Sequence, residues 1–505
     1  MKMTSLNSNF FSVSIWTLAS RVLGFIRDIL MAAFLGTGPM AEAFLIAFSL
    51  PNIFRRFFAE GALNMAFVPL FTKKLNNEKE KAHSFARETF LVLGGGLLLL
   101  TVFAQICMPI LVFSMASGFY GDERFDQAID LGRITFPYIL FISLAALISG
   151  ILNASGKFKI AAAAPMILNI ILILSMIIAD LLKLEISLAL AIAVPISGLL
   201  QLILVYRAAL KIGFKIKLRF PKLTPDIRKL IVIAFPAILA GGVVQINLLV
   251  GRQIASGTEG AIAWLSYADR LYQLPLGVVG IAVGIVLLPD LSRRLTSNDV
   301  IGAQNALNKS TEFALNLTLP AAIALILIPT EIITTLFERG AFTAFDTQQT
   351  AIALAIYGIG LPAFVLQKVL QPIYFAREDT KTPFRFAVIS MILNALIAIG
   401  LEPKIGFISA AIATSVAGWS MLLLLWFGAR KINNALKFDH EFYKRIFTIV
   451  IACIIMSFCI LFFKESLKYY FFNEFMKYFG LICIIGIGLI SYFFSRFILN
   501  FLLFK

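Results

Sequence analysis

The sequence predicts an all-α polytopic membrane protein with about 14 transmembrane helices, and three observations support this. Of its 505 residues, 60% are hydrophobic, and the mean hydropathy is +0.90. A soluble chain of that size could not hide so much apolar surface, so its solvent is lipid. The apolar residues also gather in runs that approach or exceed the roughly 20 residues needed to cross a bilayer as a helix. Finally, the polar connections between these runs alternate in charge.

The first span covers roughly 9–34. Met1 to Phe10 carries one lysine, and the apolar run leads into Arg21 and Asp28 rather than a small-residue cleavage site. It is therefore expected to stay as a helix and not to be removed as a signal. Spans two to six follow at roughly 42–71, 88–114, 132–153, 159–180 and 185–206. Spans seven to twelve lie at roughly 230–254, 261–290, 311–330, 348–374, 384–401 and 405–428. The last two lie at roughly 444–463 and 476–503. Connections Lys73–Arg87, Tyr206–Lys229, Ser292–Lys309, Arg377–Arg385 and Arg430–Arg445 are rich in Lys and Arg. The opposite set, Gly36–Glu42, Gly118–Asp130, Asp180–Glu185 and Ala255–Gly260, is short or acidic. The excess of positive charge on one side places both termini in the cytoplasm. Lys464–Lys477, the last external connection, has mixed charge and fits least well.

Spans one to six and seven to twelve read as two copies of one unit. Displacing the chain by 220 residues lays Ala43-Phe44-Leu45 on Ala263-Trp264-Leu265, Val68-Pro69 on Leu288-Pro289, and Lys73-Lys74 on Arg293-Arg294. A displacement of 225 lays Met166-Ile167-Leu168-Asn169 on Met391-Ile392-Leu393-Asn394. An even number of spans per copy makes the repeats parallel, as in two-lobed transporters that rock about a central site. The expected domains are residues 1–220, 221–435 and 436–505: two parallel six-helix lobes and two C-terminal helices.

Composition also narrows the chemistry. The cysteines Cys107, Cys453, Cys459 and Cys483 all lie in apolar spans, so they read as packing residues and not as disulfides. His83 and His440 lie in polar connections. No metal-ligand spacing or Gly-rich phosphate loop is present, so neither a cofactor nor an ATP-driven pump is expected. No nucleophile–base pair suggests an enzyme. The net charge of +16 fits cytoplasmic loop lysines better than a nucleic-acid partner.

Arginines within the spans carry the functional signal. A guanidinium in a bilayer is costly and cannot escape by losing its proton. Arg21 and Arg27 fall in the first span, Arg55 in the second and Arg270 in the eighth. Such residues are expected to face a wet cavity and meet an anion, and their planar forks suit a diphosphate. On a straight helix Arg21 and Asp28 share a face but lie about 10 Å apart. Arg27 points about 120° away from Arg21, and Gly24 between them permits a bend or close packing. The alternatives are that Arg27 and Asp28 mark a helix end, or that Arg21 snorkels to the surface.

In the second span Arg56 and Glu60 have the spacing of a simple helix pair. Pro51 is expected to free a carbonyl that lines a cavity. Glu42 is either a solvated helix-start carboxylate or part of a gate. In the eighth span Asp269 adjoins Arg270, so their side chains are expected to diverge and leave Arg270 to another anion. Arg252, near the end of the seventh span, reads as a snorkelling residue.

Several strings resemble the MurJ (MviN) family of bacterial lipid II flippases. They are Arg21-Val22-Leu23-Gly24-Phe25-Ile26-Arg27-Asp28, Leu50-Pro51-Asn52-Ile53-Phe54-Arg55-Arg56-Phe57-Phe58-Ala59-Glu60-Gly61-Ala62 and Tyr267-Ala268-Asp269-Arg270-Leu271. Phe342-Thr343-Ala344-Phe345-Asp346 and Asp379-Thr380-Lys381-Thr382-Pro383 also resemble it. The resemblance runs over nearly the whole chain. It implies a MATE-like fold and export of undecaprenyl-diphosphate-linked peptidoglycan precursor from the inner to the outer leaflet of the bacterial inner membrane. It implies that Arg21, Arg27, Arg55 and Arg270 bind substrate. Asp28 and Glu42 are implied as functional acidic positions, and Arg56, Glu60 and Asp269 stand beside them as gating or supporting candidates. The last two spans would form a groove for the lipid tail.

Some relatives bind sodium with acidic residues in spans seven and eleven. Here Gly251 and Ala398 stand at those places, with only Asn394 and Thr414 polar, so a sodium site is not expected. The expected partners are lipid II, membrane lipids and proteins of cell-wall synthesis and division. The rival functions are a lipid-linked polysaccharide flippase and a multidrug or cation exporter of the same superfamily. A cation exporter would want acidic residues in its cavity.

Overall fold

The computed structural model describes residues 3–56, 63–216, 219–297, 299–432, 438–471 and 473–503. Its described elements are helical, with no strand among the described residues. By length and apolarity ten helical segments can cross a membrane among those residues. They correspond to spans three to six and nine to fourteen. The remaining four expected spans fall on α1 (Met3–Leu35), α2 (Pro39–Arg55) with α3 (Leu63–Asn77), α10 (Pro225–Ser256) and α11 (Ala261–Thr296).

The chain falls into two compact units, Met1–Leu249 and Val250–Lys505. The sequence reading ends the first lobe at residue 220, whereas this boundary lies within α10.

The first unit also contains α4 (Lys79–Met115), α5 (Glu123–Thr135), α6 (Tyr138–Ala154), α7 (Phe158–Ala163), α8 (Pro165–Leu182) and α9 (Ile186–Lys211). Among the described residues of this unit, the fourth and fifth expected spans are visibly broken. The fourth divides at Phe136-Pro137 into α5 and α6, and the fifth divides before Pro165, which opens α8. Each proline lacks an N–H and fits a helix start better than an interior. The apolar composition runs on through both breaks and hides them. Helix α5 also begins inside Gly118–Asp130, which the sequence reading leaves as a polar connection. Asp122 caps it by accepting a hydrogen bond from the Arg124 backbone N–H. Helices α6 and α9 pack so closely that a Cβ on Gly198 would lie 2.7 Å from the Tyr138 ring. Small residues let helix backbones approach in this way.

The second unit continues through α12 (Val300–Leu327), α13 (Pro329–Leu336), α14 (Ala344–Phe375), α15 (Lys381–Ile405), α16 (Ile408–Ile432), α17 (His440–Phe471) and α18 (Met476–Leu503). Helices α14 and α16 close around Phe364, whose ring lies 2.5 Å from where a Cβ on Gly418 would stand. Hydrogen bonds from Ser415 to the Ile356 carbonyl and from Tyr374 to the Leu425 carbonyl tie the same pair together.

The mixed charge of Lys464–Lys477 has a structural reason. Lys464 pairs with Glu331 of α13 at 2.9 Å and donates to the Leu327 carbonyl. Buried Lys477 donates to the Glu338 carbonyl at 2.9 Å. Both lysines hold the α17–α18 hairpin onto α13, so they say little about which side of the membrane they occupy.

Candidate functional site

In the first unit, α1 runs unbroken through Gly24. Gly24 serves close packing: the Asn169 side chain of α8 lies 3.5 Å from the position of its absent Cβ. From there Asn169 donates to the Ser20 carbonyl at 3.0 Å and accepts from Arg27 Nη1 at 2.9 Å. Arg27 also grips Asp28 Oδ1 through Nε at 3.0 Å and Nη2 at 2.6 Å. Both residues are buried. Neighbours in sequence can thus pair on a helix, because the long arginine stem folds back onto the shorter carboxylate. Arg21 is exposed on the same helix, so Arg21 and Asp28 do not share an environment.

On α2, Arg55 is half-buried and its Nε donates to Asn52 at 3.2 Å. Arg56 follows as the helix cap and is exposed. Glu60, its expected partner, lies outside the described residues. Pro51 cannot donate to the Ala47 carbonyl one turn back. That carbonyl instead accepts from Thr135 Oγ1 of α5 at 2.9 Å, so the freed group joins two helices and does not line a cavity.

Glu42 is not a solvated helix-start carboxylate. It has no exposed surface and pairs with Arg124 Nη1 at 2.8 Å. Arg124 further binds Asp122 at 2.6 Å and stacks over the Phe119 ring at 4.4 Å. Desolvation opposes ionisation of Asp122, but hydrogen bonds from the Arg124 backbone and guanidinium prevail and hold its carboxyl below the usual range.

The second unit holds a comparable link. Trp264 Nε1 of α11 donates to Asp346 Oδ1 at 2.8 Å. The other oxygen of Asp346 accepts from the Thr343 backbone at 2.8 Å and hydroxyl at 2.7 Å, closing a capping box at the start of α14. Further along α11, half-buried Asp269 accepts hydrogen bonds from Gln273 and Tyr272. Half-buried Arg270 follows, and its charge acts on Asp269. The expected divergence of these neighbours therefore does not isolate them electrostatically.

Sequence reasoning gives no role to Arg124, Thr135 or Trp264. The Asp122 cap signal could have started α5 early enough to include Arg124. Asn169 and Asp346 do stand out in the sequence, one in the repeat and the other in a family string, but nothing there reveals their partners.

The family profile described as "Lipid II flippase MurJ" matches residues 31–480. A protein of Rhizobium tropici named "Probable lipid II flippase MurJ" is 50% identical, covering 82% of this chain and 79% of its own. A protein of the same name from Rickettsia prowazekii is 36% identical over 91% of this chain and 90% of its own. Among solved structures, "Lipid II flippase MurJ, inward closed conformation" superposes with a TM-score of 0.83 at 30% identity. It covers 98% of this chain and 99% of the solved chain. An inward-facing multidrug resistance MATE transporter of the MOP superfamily superposes with a TM-score of 0.72 at 14% identity, over 82% of this chain and 95% of its own. That likeness is one of fold alone.

Proposed function

The chain belongs to the lipid II flippase MurJ family, and from that premise we propose that Arg21, Arg27, Arg55 and Arg270 carry the diphosphate of lipid II. The protein is a multi-pass membrane flippase for lipid II, the lipid-linked precursor of peptidoglycan. The profile match over residues 31–480 carries this conclusion.

The finer reading concerns mechanism. The headgroup travels from the cytoplasmic to the outer leaflet of the inner membrane by alternating access, with both chain termini in the cytoplasm. Arg21 is exposed and Arg55 half-buried, so each can meet an anion without first breaking into the protein core. Arg27 already holds a carboxylate oxygen in the fork of Nε and Nη2. Asp28 thus stands where a phosphate oxygen would bind, and the substrate exchanges with it. In the second unit, Asp269 beside Arg270 offers the same exchange. An internal carboxylate weakens substrate binding enough for release, which a transporter needs on the far side. Membrane potential acts on these cavity charges.

Complementation in cells depleted of their own lipid II flippase tests this reading. Wild type would be compared with Arg21→Ala, Arg27→Ala and Arg270→Ala at matched membrane abundance, scoring lipid II at the outer leaflet. Wild type should rescue and the variants should fail. Arg21→Ala is the cleanest case, since this exposed side chain supports little of the fold. Full rescue by all three variants would move the diphosphate site elsewhere.

A further inference from the structure

At the start of α17 the second unit forms a partly open cavity of about 70 Å³ with many charged residues in its lining. Asn308, Lys309 and Glu312 of α12 line it from one side, and Asp439, Glu441 and Arg445 from the other. Asn308 is 6% exposed and donates through Nδ2 to Asp439 at 2.9 Å. Its Oδ1 is buried and accepts no hydrogen bond from the described residues. Such an acceptor calls for a donor. The carboxylate of Glu312 is occupied by Arg445 and Arg496, each at 3.1 Å. Arg445 also lies 3.8 Å from Glu441.

The pocket thus sets acceptors, Asn308 Oδ1 with Asp439 and Glu441, beside the cations Lys309 and Arg445. A metal ion fits poorly, because among the described residues no three His, Cys, Asp or Glu side chains gather to hold one. A simple anion would leave Asn308 Oδ1 without a donor. A zwitterion with N–H groups at one end and a phosphate at the other satisfies both sets. Nearby aromatic residues indicate its source. Phe442, which also lines the cavity, stacks on Phe438 at 3.9 Å, and Phe438 stacks on Trp426 at 4.5 Å. Arg430 caps Trp426 at 4.8 Å. Aromatic and basic side chains gather in this way at the level of lipid headgroups.

We propose that this pocket binds the headgroup of a phospholipid bearing a primary ammonium, with the ammonium on Asn308, Asp439 and Glu441 and the phosphate on Lys309 and Arg445. The site is separate from the arginines assigned to lipid II, and it ties the α17–α18 hairpin to the surrounding bilayer.

Native mass spectrometry of the delipidated full chain in detergent provides the test. The probes are phosphatidylethanolamine, phosphatidylcholine and phosphatidylglycerol with identical acyl chains. Phosphatidylethanolamine should be retained about tenfold more than either control, the worth of one charge-assisted hydrogen bond. Asn308→Leu should bring retention of phosphatidylethanolamine down to the control level, and Lys309→Gln, which removes a phosphate contact, should lower retention of all three lipids severalfold. Lys309 is exposed, so its variant keeps the test decisive if Asn308→Leu lowers the melting temperature. Equal retention of phosphatidylethanolamine and phosphatidylcholine would overturn the proposal. So would unchanged retention by Lys309→Gln. If soluble phosphoethanolamine binds while no lipid is retained, the ligand is a free headgroup and the lipid assignment fails.

Discussion

Glu42–Arg124 in the first unit and Trp264–Asp346 in the second occupy comparable places in the two halves. Each joins the first helix of a packed pair to the start of the second, α2 to α5 in one half and α11 to α14 in the other. In both, the partners are 82 residues apart in sequence. The chemistry differs. The first link has its acid on the earlier helix and a guanidinium on the later one, whereas the second has a neutral indole donor on the earlier helix and its acid on the later one. The displacement of 220 residues that lays Phe44 on Trp264 sets Glu42 against Ile262, so the two links are analogous in place but are not built from aligned residues. The two links should therefore differ in strength, because a buried ion that loses its partner is penalised far more than one losing a neutral donor.

The sharpest test of that difference is Glu42→Ala, which removes one of the two carboxylates that hold buried Arg124 and leaves it with Asp122 alone. A loss of about 3 kcal/mol is expected, the low end for breaking a buried pair, read as a large fall in melting temperature in detergent. Adding Arg124→Met should recover much of it, and a double variant no better than the single would show that charge is not the issue. Trp264→Phe should cost about 1–2 kcal/mol, since Asp346 keeps both hydrogen bonds from Thr343. If that loss equals the loss from Glu42→Ala, the contrast between the halves collapses. Thr135→Val should cost about 1 kcal/mol by leaving the Ala47 carbonyl without its donor. Acid should weaken the Asp122 part of the first link, and only slightly. The folded pKa of Asp122 lies below its unfolded value of about 4. Its contribution is thus present above that value and fades as pH falls through the depressed one. Melting curves between about pH 6 and 3 for wild type and Asp122→Asn should converge at the acid end.

Much of this architecture is legible in the sequence, because lipid imposes long apolar runs and the repeat doubles the evidence for them. The breaks at Phe136-Pro137 and before Pro165 are not, since apolar composition continues through both. The fate of Glu42 is hidden for a different reason. Its partner Arg124 lies in a polar stretch that reads as exposed, and that stretch is polar because its charges satisfy one another. Similarly, an arginine inside a span announces a missing anion, yet only the fold reveals that Asp28 and Asn169 already meet Arg27. Sequence identifies the residues that need partners, and long-range packing decides which partners they get.

Pairing of Lys464 with Glu331 also has a consequence for biogenesis. In the proposed topology this lysine crosses to the outer side as the last hairpin inserts, against the usual charge preference. Glu331 precedes it in the chain, so in that topology it reaches the outer side first. The carboxylate thus offers the incoming lysine an immediate counter-ion, making α13 a receiving dock for the hairpin. Without that dock, as in Glu331→Gln, the connection around Lys464 should cross less readily, and insertion of the final two helices should slow.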